Sequence, residues 1–223
     1  MMTMRELAYA SIAEVSERVK QREVSPVELT NLMLSRIEDL DSKLHSYYTV
    51  FANEVRAAAR QVEIEIQHGQ DRGPLHGIPI GIKDIYESGR TTCGSKPLKE
   101  YVAERDCTAV RKLKEAGALV LGKTATYEFA YGFPTTKSHF GPTRNPWSLG
   151  HDAGGSSSGA AASTAAGLAY AGMGSCTGGS IRWPAQACGI VGLKATYGRV
   201  SRAGVYPLAW SLDHTGPLHT YCD

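Results

Sequence analysis

The chain has 223 residues, 42% of them apolar and 21% charged, a size and composition that suit a single α/β domain with a substantial buried core. Its formal charge of +2 is spread along the sequence without a basic block, so nothing marks a binder of nucleic acid or of a membrane surface. No apolar run approaches the roughly 20 residues that span a bilayer, so a cytoplasmic protein with a small-molecule partner is expected. Cys93, Cys107, Cys176, Cys188 and Cys222 are odd in number and form no C-x-x-C pair, which predicts free thiols and no metal site.

Met1-Met2-Thr3-Met4-Arg5-Glu6 opens a polar helix rather than a signal segment. Ser11-Ile12-Ala13-Glu14 reads as a capping box, with Ile12, Val15 and Val19 at helical spacing. Ser25-Pro26-Val27-Glu28 repeats the signal with proline at the first helical position, and Leu29, Leu32, Met33, Ile37 and Leu40 form one stripe. A third helix is predicted from about Asn53 to Gln67, ended by Gly69. Residues 1–70 are therefore read as helical packing elements, and residues 75–223 as a sheet-and-helix core within one domain, 1–223.

Ile78, Ile80 and Ile82 alternate ahead of Lys83-Asp84, which predicts a strand ending in a charged pair, the place where open α/β sheets bind ligands. Val110, Leu113 and Ala116 predict a short helix stopped by Gly117, and Ala118-Leu119-Val120-Leu121 a buried strand; the alternation implies a parallel or mixed sheet. Asn145 to Asp152 reads as a polar loop and Ser157 to about Ala166 as a helix of small residues whose N-terminus faces the site. A short strand near Ala169 to Met173 delivers the chain into the glycine-rich stretch that ends at Ser180.

Two apparent motifs fail on context. Gly117 to Thr124 fits the pattern of a phosphate loop, but its middle residues are themselves the strand and the helix precedes them. Gly155-Ser156-Ser157-Ser158-Gly159 fits a nucleophile elbow centred on Ser157, but a polar loop stands where an elbow needs a hydrophobic strand. The stretch Gly174-Ser175-Cys176-Thr177-Gly178-Gly179-Ser180 is different. Its two glycines let the backbone turn and aim N–H groups into the space that the Ser180 hydroxyl faces. Such a hydroxyl needs a base, and His76, His139, His151 and His214 lie in separate loops without triad spacing. A lysine serves instead where burial lowers its pKa from about 10.4 towards neutrality.

These stretches, with Gly77 to Asp84, Phe140 to Trp147, Cys188 to Lys194 and Ser211-Leu212-Asp213-His214, resemble the amidase signature family over nearly the whole chain. The resemblance implies an α/β fold with a mixed, twisted central sheet flanked by helices, and amide hydrolysis through an acyl-enzyme without cofactor or metal. It makes Ser180 the nucleophile, Ser156 the bridging serine on a cis peptide, and Lys83 the base. Thr177, Gly178, Gly179 and Ser180 would form the oxyanion hole, and Ala130, Tyr131, Gly132 and Ser156 would line the substrate site. Ser158, Ala195 and Cys176 depart from the family pattern, the last standing where relatives carry an aspartate that pairs with the arginine at Arg182, which leaves Arg182 in need of another partner.

The resemblance favours an amidase acting on a small carboxamide; the alternatives are the glutaminase (A) subunit of a tRNA-dependent amidotransferase, which works with partner subunits, and an inactive truncated relative. Histidine at His214, where that subunit typically has glutamine, speaks for the first. Members of the family are about twice this length, so the match is to the N-terminal half of the fold. An open strand edge and apolar face are then expected, with oligomerisation or poor solubility and little turnover when the 223-residue chain is expressed alone.

Overall fold

The structure is a computed structural model in which residues 2–133 and 139–221 are described. The chain opens with helices α1 (Met4–Leu7), α2 (Ile12–Lys20) and α3 (Pro26–Leu44), strand β1 (Tyr47–Val50) and helix α4 (Ala52–Gln67). Then follow β2 (Pro79–Lys83), α5 (Thr108–Glu115), β3 (Leu119–Thr124), β4 (Arg144–Asn145), β5 (Ser148–Asp152) and α6 (Ser158–Ala165). The last elements are β6 (Ala171–Cys176), α7 (Arg182–Cys188), β7 (Val191–Gly192) and β8 (His214–His219).

The caps explain where the first helices start. At α3 the Glu28 N–H donates to Ser25 Oγ at 3.1 Å while the Ser25 N–H donates to the Glu28 carboxylate at 2.8 Å, closing a reciprocal box. The box expected at α2 is only half formed. The Glu14 N–H reaches Ser11 Oγ at 3.1 Å, but the Glu14 carboxylate faces Arg18 at 3.4 Å one turn on. At α1, Thr3 and Glu6 form a full box that the sequence reading overlooked.

The six-stranded sheet runs β1-β3-β2-β6-β8-β7. Strand β2 pairs parallel with β3 and with β6, whereas β1, β7 and β8 pair antiparallel, so the sheet is mixed. All five residues of β2 are buried, as befits a strand with a neighbour on each side and layers on both faces. The fold is thus the mixed α/β arrangement expected.

Three short elements correct the reading, the first being β1, which places a strand of the central sheet inside the stretch 1–70 expected to be helical. Asn145 to Asp152 is no loop: β4 and β5 form a hairpin, Arg144 opposite Asp152 and Asn145 opposite Ser148. Its second strand is mostly exposed and polar, so no apolar alternation announced it.

One contiguous core joins the helices to the sheet, through Val15, Leu29, Met33, Val55, Ile82 and Leu121. A smaller cluster of Ala160, Ala161, Ile181, Ala185 and Leu218 packs α6 and α7 against β6 and β8. The sheet ends at β7, only two residues long, and Leu193 directly after it is 58% exposed. Cys93, Cys107, Cys176 and Cys188 are free and buried; Cys222 lies outside the described residues. Among the described residues no helix is long and apolar enough to cross a membrane, and no group of three or more His, Cys, Asp or Glu is placed to hold a metal.

Candidate active site

Lys83 ends β2, wholly buried, and its Nζ lies 2.7 Å from Ser156 Oγ and 2.8 Å from Ser175 Oγ. Its sequence neighbour Asp84 does not pair with it. The Asp84 carboxylate instead accepts from the Thr92 N–H at 3.0 Å and from the Thr92 hydroxyl, and lies 3.8 Å from Lys123 Nζ. Lys83 is thereby buried without a hydrogen-bonded counter-ion. Burial pushes its pKa down to about 7, and the acidic groups that face it, Cys176, Asp213 and Cys93 in that order, only partly oppose this.

Ser156 reaches Lys83 from the loop ahead of α6, after a cis Gly155–Ser156 peptide bond. Tyr127 holds that loop. Its N–H donates to the Ser156 carbonyl at 3.2 Å, its hydroxyl donates to Asp152 Oδ1 at 3.2 Å, and Asp152 Oδ1 accepts from the Gly154 N–H at 2.6 Å. The Tyr127 ring presses so closely on Gly155 that an added Cβ would come within 2.2 Å of it. Glycine is therefore required at this position for close approach rather than for flexibility.

Ser180 sits half-buried in the turn after β6, and its carbonyl accepts from the Ser157 N–H at 3.2 Å, tying the two serine loops together. Among the described residues the Ser180 hydroxyl makes no hydrogen bond, and the N–H groups of Gly178, Gly179 and Ser180 find no protein acceptor. Neither Gly178 nor Gly179 has a positive φ, and a Cβ added at either meets nothing within 4 Å. The expected reason for these glycines is therefore replaced: they hold no strained turn, and instead leave the space before the loop empty of side chains.

Ser157 is fully buried, and its hydroxyl both accepts from the Ser175 N–H and donates to the Ser175 carbonyl, each at 3.2 Å. It is occupied with structure, so the elbow pattern is a coincidence. The phosphate-loop pattern is one too, since Leu119–Thr124 is strand β3 and Lys123 points inward to the Tyr86 carbonyl and Thr91 Oγ1.

Ala130 lines a cleft of about 470 Å³ with Ser175, Thr177, Tyr206 and Trp210. Tyr131 and Gly132 line a cavity of about 640 Å³ with Tyr127 and Thr143, while Ser156, the fourth expected substrate residue, bonds Lys83. The histidines serve elsewhere: His76 faces Glu65 at 3.2 Å, His151 faces Ser148 at 2.9 Å, His139 packs on Phe140, and His214 Nδ1 lies 2.7 Å from the Leu212 carbonyl. Arg182 is exposed at the start of α7 and forms no ion pair among the described residues, whereas Cys176 is fully buried. The guanidinium is exposed, so the missing aspartate leaves no buried charge. Ser158 is accommodated by Thr143 Oγ1 at 3.2 Å.

Ser175 was not anticipated. No sequence signal marked it, since Ile82 registers with Met173 and a two-residue step to Ser175 stays on the face of Ile82 rather than on that of Lys83. Replacing Ser175 with alanine removes one of two hydroxyls that orient Lys83. At about 1 kcal/mol for such a bond, the rate of any Lys83-dependent reaction is expected to fall roughly fivefold to tenfold. Phosphonylation kinetics of Ser180 check this, and an unchanged rate shows that Ser156 alone orients the amine.

The sequence profile of the amidase family matches residues 28–222. The A subunit of glutamyl-tRNA(Gln) amidotransferase from Carboxydothermus hydrogenoformans is 51% identical over 96% of this chain, and that from Geobacter metallireducens 52% identical over 96%. In each case the chain spans 44% of the relative's length. The solved peptide amidase from Stenotrophomonas maltophilia superposes with a TM-score of 0.89 at 37% identity, over 95% of this chain and 45% of that one. The solved A subunit of the same amidotransferase from Thermotoga maritima gives 0.81 at 38%, over 98% and 45%. By the profile match and by superposition on these enzymes, the chain belongs to the amidase signature family and corresponds to about half of its full-length members.

Proposed function

We propose that the protein hydrolyses a carboxamide C–N bond through an acyl-enzyme on Ser180, and that the amide is that of glutamine, as in the A subunit of an amidotransferase that works with partner subunits. The observation that carries the chemistry is a buried lysine amine, with its pKa near 7, bonded to Ser156, whose neighbour Ser157 donates its N–H to the Ser180 carbonyl. In its neutral form Lys83 accepts the Ser156 proton while Ser156 accepts that of Ser180, whose oxygen attacks the carbonyl carbon. The unpaired N–H groups from Thr177 to Ser180 stabilise the oxyanion. The proton then returns through Ser156 to the departing amine, and water releases the acyl group by the same relay.

The glutamine reading rests on relatives of that name at 51% and 52% identity. His214 had pointed to a hydrolase acting alone, but its ring is engaged with the Leu212 and Cys176 carbonyls, so its identity reports loop structure rather than substrate. Competition against a fluorophosphonate tests the assignment without requiring turnover. Glutamine is expected to slow labelling of Ser180, while aryl and short aliphatic amides leave it unchanged. Protection by the neutral amides instead of glutamine supports an independent amidase.

A further inference from the structure

The segment that would bind the oxyanion is anchored unevenly. At its C-terminal end the Ser180 carbonyl accepts from Ser157 and the Gly179 carbonyl from the Trp183 N–H at 2.8 Å. Between these and the end of β6 at Cys176 lie only Thr177 and Gly178, and Gly178 contributes no side chain. On the N-terminal side the anchor is a side chain, because Thr177 Oγ1 donates to Asp213 Oδ1 at 2.5 Å. The other oxygen, Asp213 Oδ2, accepts from the Leu208 N–H at 2.9 Å and the Ala209 N–H at 3.0 Å. One carboxylate thus joins the glycine-rich loop to the segment that forms the opposite wall of the cleft, where Leu208 and Trp210 lie.

The geometry points to Asp213 as a positioning residue: through Thr177 it sets the oxyanion loop, and through Leu208 and Ala209 it locks the cleft wall to that loop. The inference rests on the Ser180 acyl-enzyme reading for its catalytic consequence, but not for the tether itself. Donors aimed at a developing oxyanion act only when held in place before reaction, and losing one typically costs about 10²–10³ in rate.

Asp213 also carries the one carboxylate among the acidic groups that face Lys83, the others being Cys176 from β6 and Cys93 from the loop after β2. Around Asp213 stand Thr177, His214 and, in the same cleft, Arg202, whose guanidinium is already engaged by the Trp210 carbonyl at 2.5 Å and the Tyr197 hydroxyl at 2.8 Å. A merely structural residue leaves the lysine's titration where it is. Asp213 does not, since it lines the same cleft as Ser175, whose hydroxyl bonds Lys83, and a carboxylate there favours the protonated amine, so that removing it lowers the lysine's pKa further.

Two variants of the whole chain separate these effects, Asp213→Asn and Thr177→Val, the second removing only a hydroxyl at nearly constant volume. Phosphonylation of Ser180 is expected to slow about tenfold or more in both. Its pH midpoint moves to lower pH in Asp213→Asn and stays at the parental value in Thr177→Val. Amide hydrogen exchange at Ser157 and Trp183, whose acceptors lie in the loop, is expected to quicken in Thr177→Val, and in Asp213→Asn at Leu208 and Ala209 as well. Parental exchange at Ser157 and Trp183 in Thr177→Val overturns the tether, and an unmoved midpoint in Asp213→Asn overturns its electrostatic part. A parent chain that takes no label refutes the Ser180 reading instead, and exchange then decides the tether by itself.

Discussion

Lys83→Ala is expected to slow phosphonylation of Ser180 at pH 7 by about 10³-fold, within the 10²–10⁴ range for a general base. No other group can replace the amine. Asp84 is committed to Thr92, Lys123 to the Tyr86 carbonyl and Thr91, and His214 Nδ1 to the Leu212 and Cys176 carbonyls. The pH dependence has a definite sign. The active form is the neutral amine, its pKa is lowered to about 7, and the rate therefore rises as pH increases from 6 to 8 and levels above that. In Lys83→Ala this rise disappears along with the rate. The variant is expected to stay folded, because what is lost is a buried, largely desolvated amine and not a hydrogen-bonded ion pair. A Lys83→Ala protein labelled at more than a tenth of the parental rate, with an unchanged melting temperature, rules out the lysine as base.

Gly159→Ala is expected to destabilise the fold strongly. A Cβ there would lie 2.2 Å from the Ala125 nitrogen and 2.3 Å from the Ser46 carbonyl oxygen, both backbone atoms that no rotamer change can move aside. The Gly159 N–H also donates to the Ala125 carbonyl at 3.0 Å, so the first turn of α6 is pinned to the end of β3. Overpacking costs about 1–3 kcal/mol and more where backbone must shift. At roughly 2–4 °C per kcal/mol the melting temperature is expected to fall by about 10 °C. Because Ser156 lies just ahead of α6, the same displacement pulls its hydroxyl from Lys83, so labelling of Ser180 should fall in the protein that remains folded. A melting temperature within about 2 °C of the parent shows that α6 can ride outward without cost.

How far the sequence reaches is best judged residue by residue. Ser25-Pro26-Val27-Glu28 announced α3 because both halves of its cap are local and nothing competes for them. Ser11 and Glu14 announced a full box, and Arg18 took one of its partners, a competition decided by side-chain reach rather than by the motif. Lys83, Ser156 and Ser180 were legible only together. Each lies on a different element, and the parallel register of β2 with β6 and the turn ahead of α6 bring them near one another. Ser175 was missed because a serine inside a strand of small residues looks like filler until its bond to Lys83 is seen. Lys123 was hidden by a false motif, and its burial follows from β3 lying between β1 and β2. Asp213 stood in a recognised motif, yet its role depends on a contact 36 residues distant that no local pattern encodes.

The central claim is that Ser180 is a nucleophile activated through Ser156 by a lysine neutral near physiological pH. The most direct test is to follow fluorophosphonate labelling of the parent chain from pH 6 to 9 and to map the modified peptide. A single adduct on Ser180 is expected, with a rate that rises with pH and reaches half its maximum near pH 7. An adduct on Ser157, or a rate on Ser180 that is flat across that range, contradicts it.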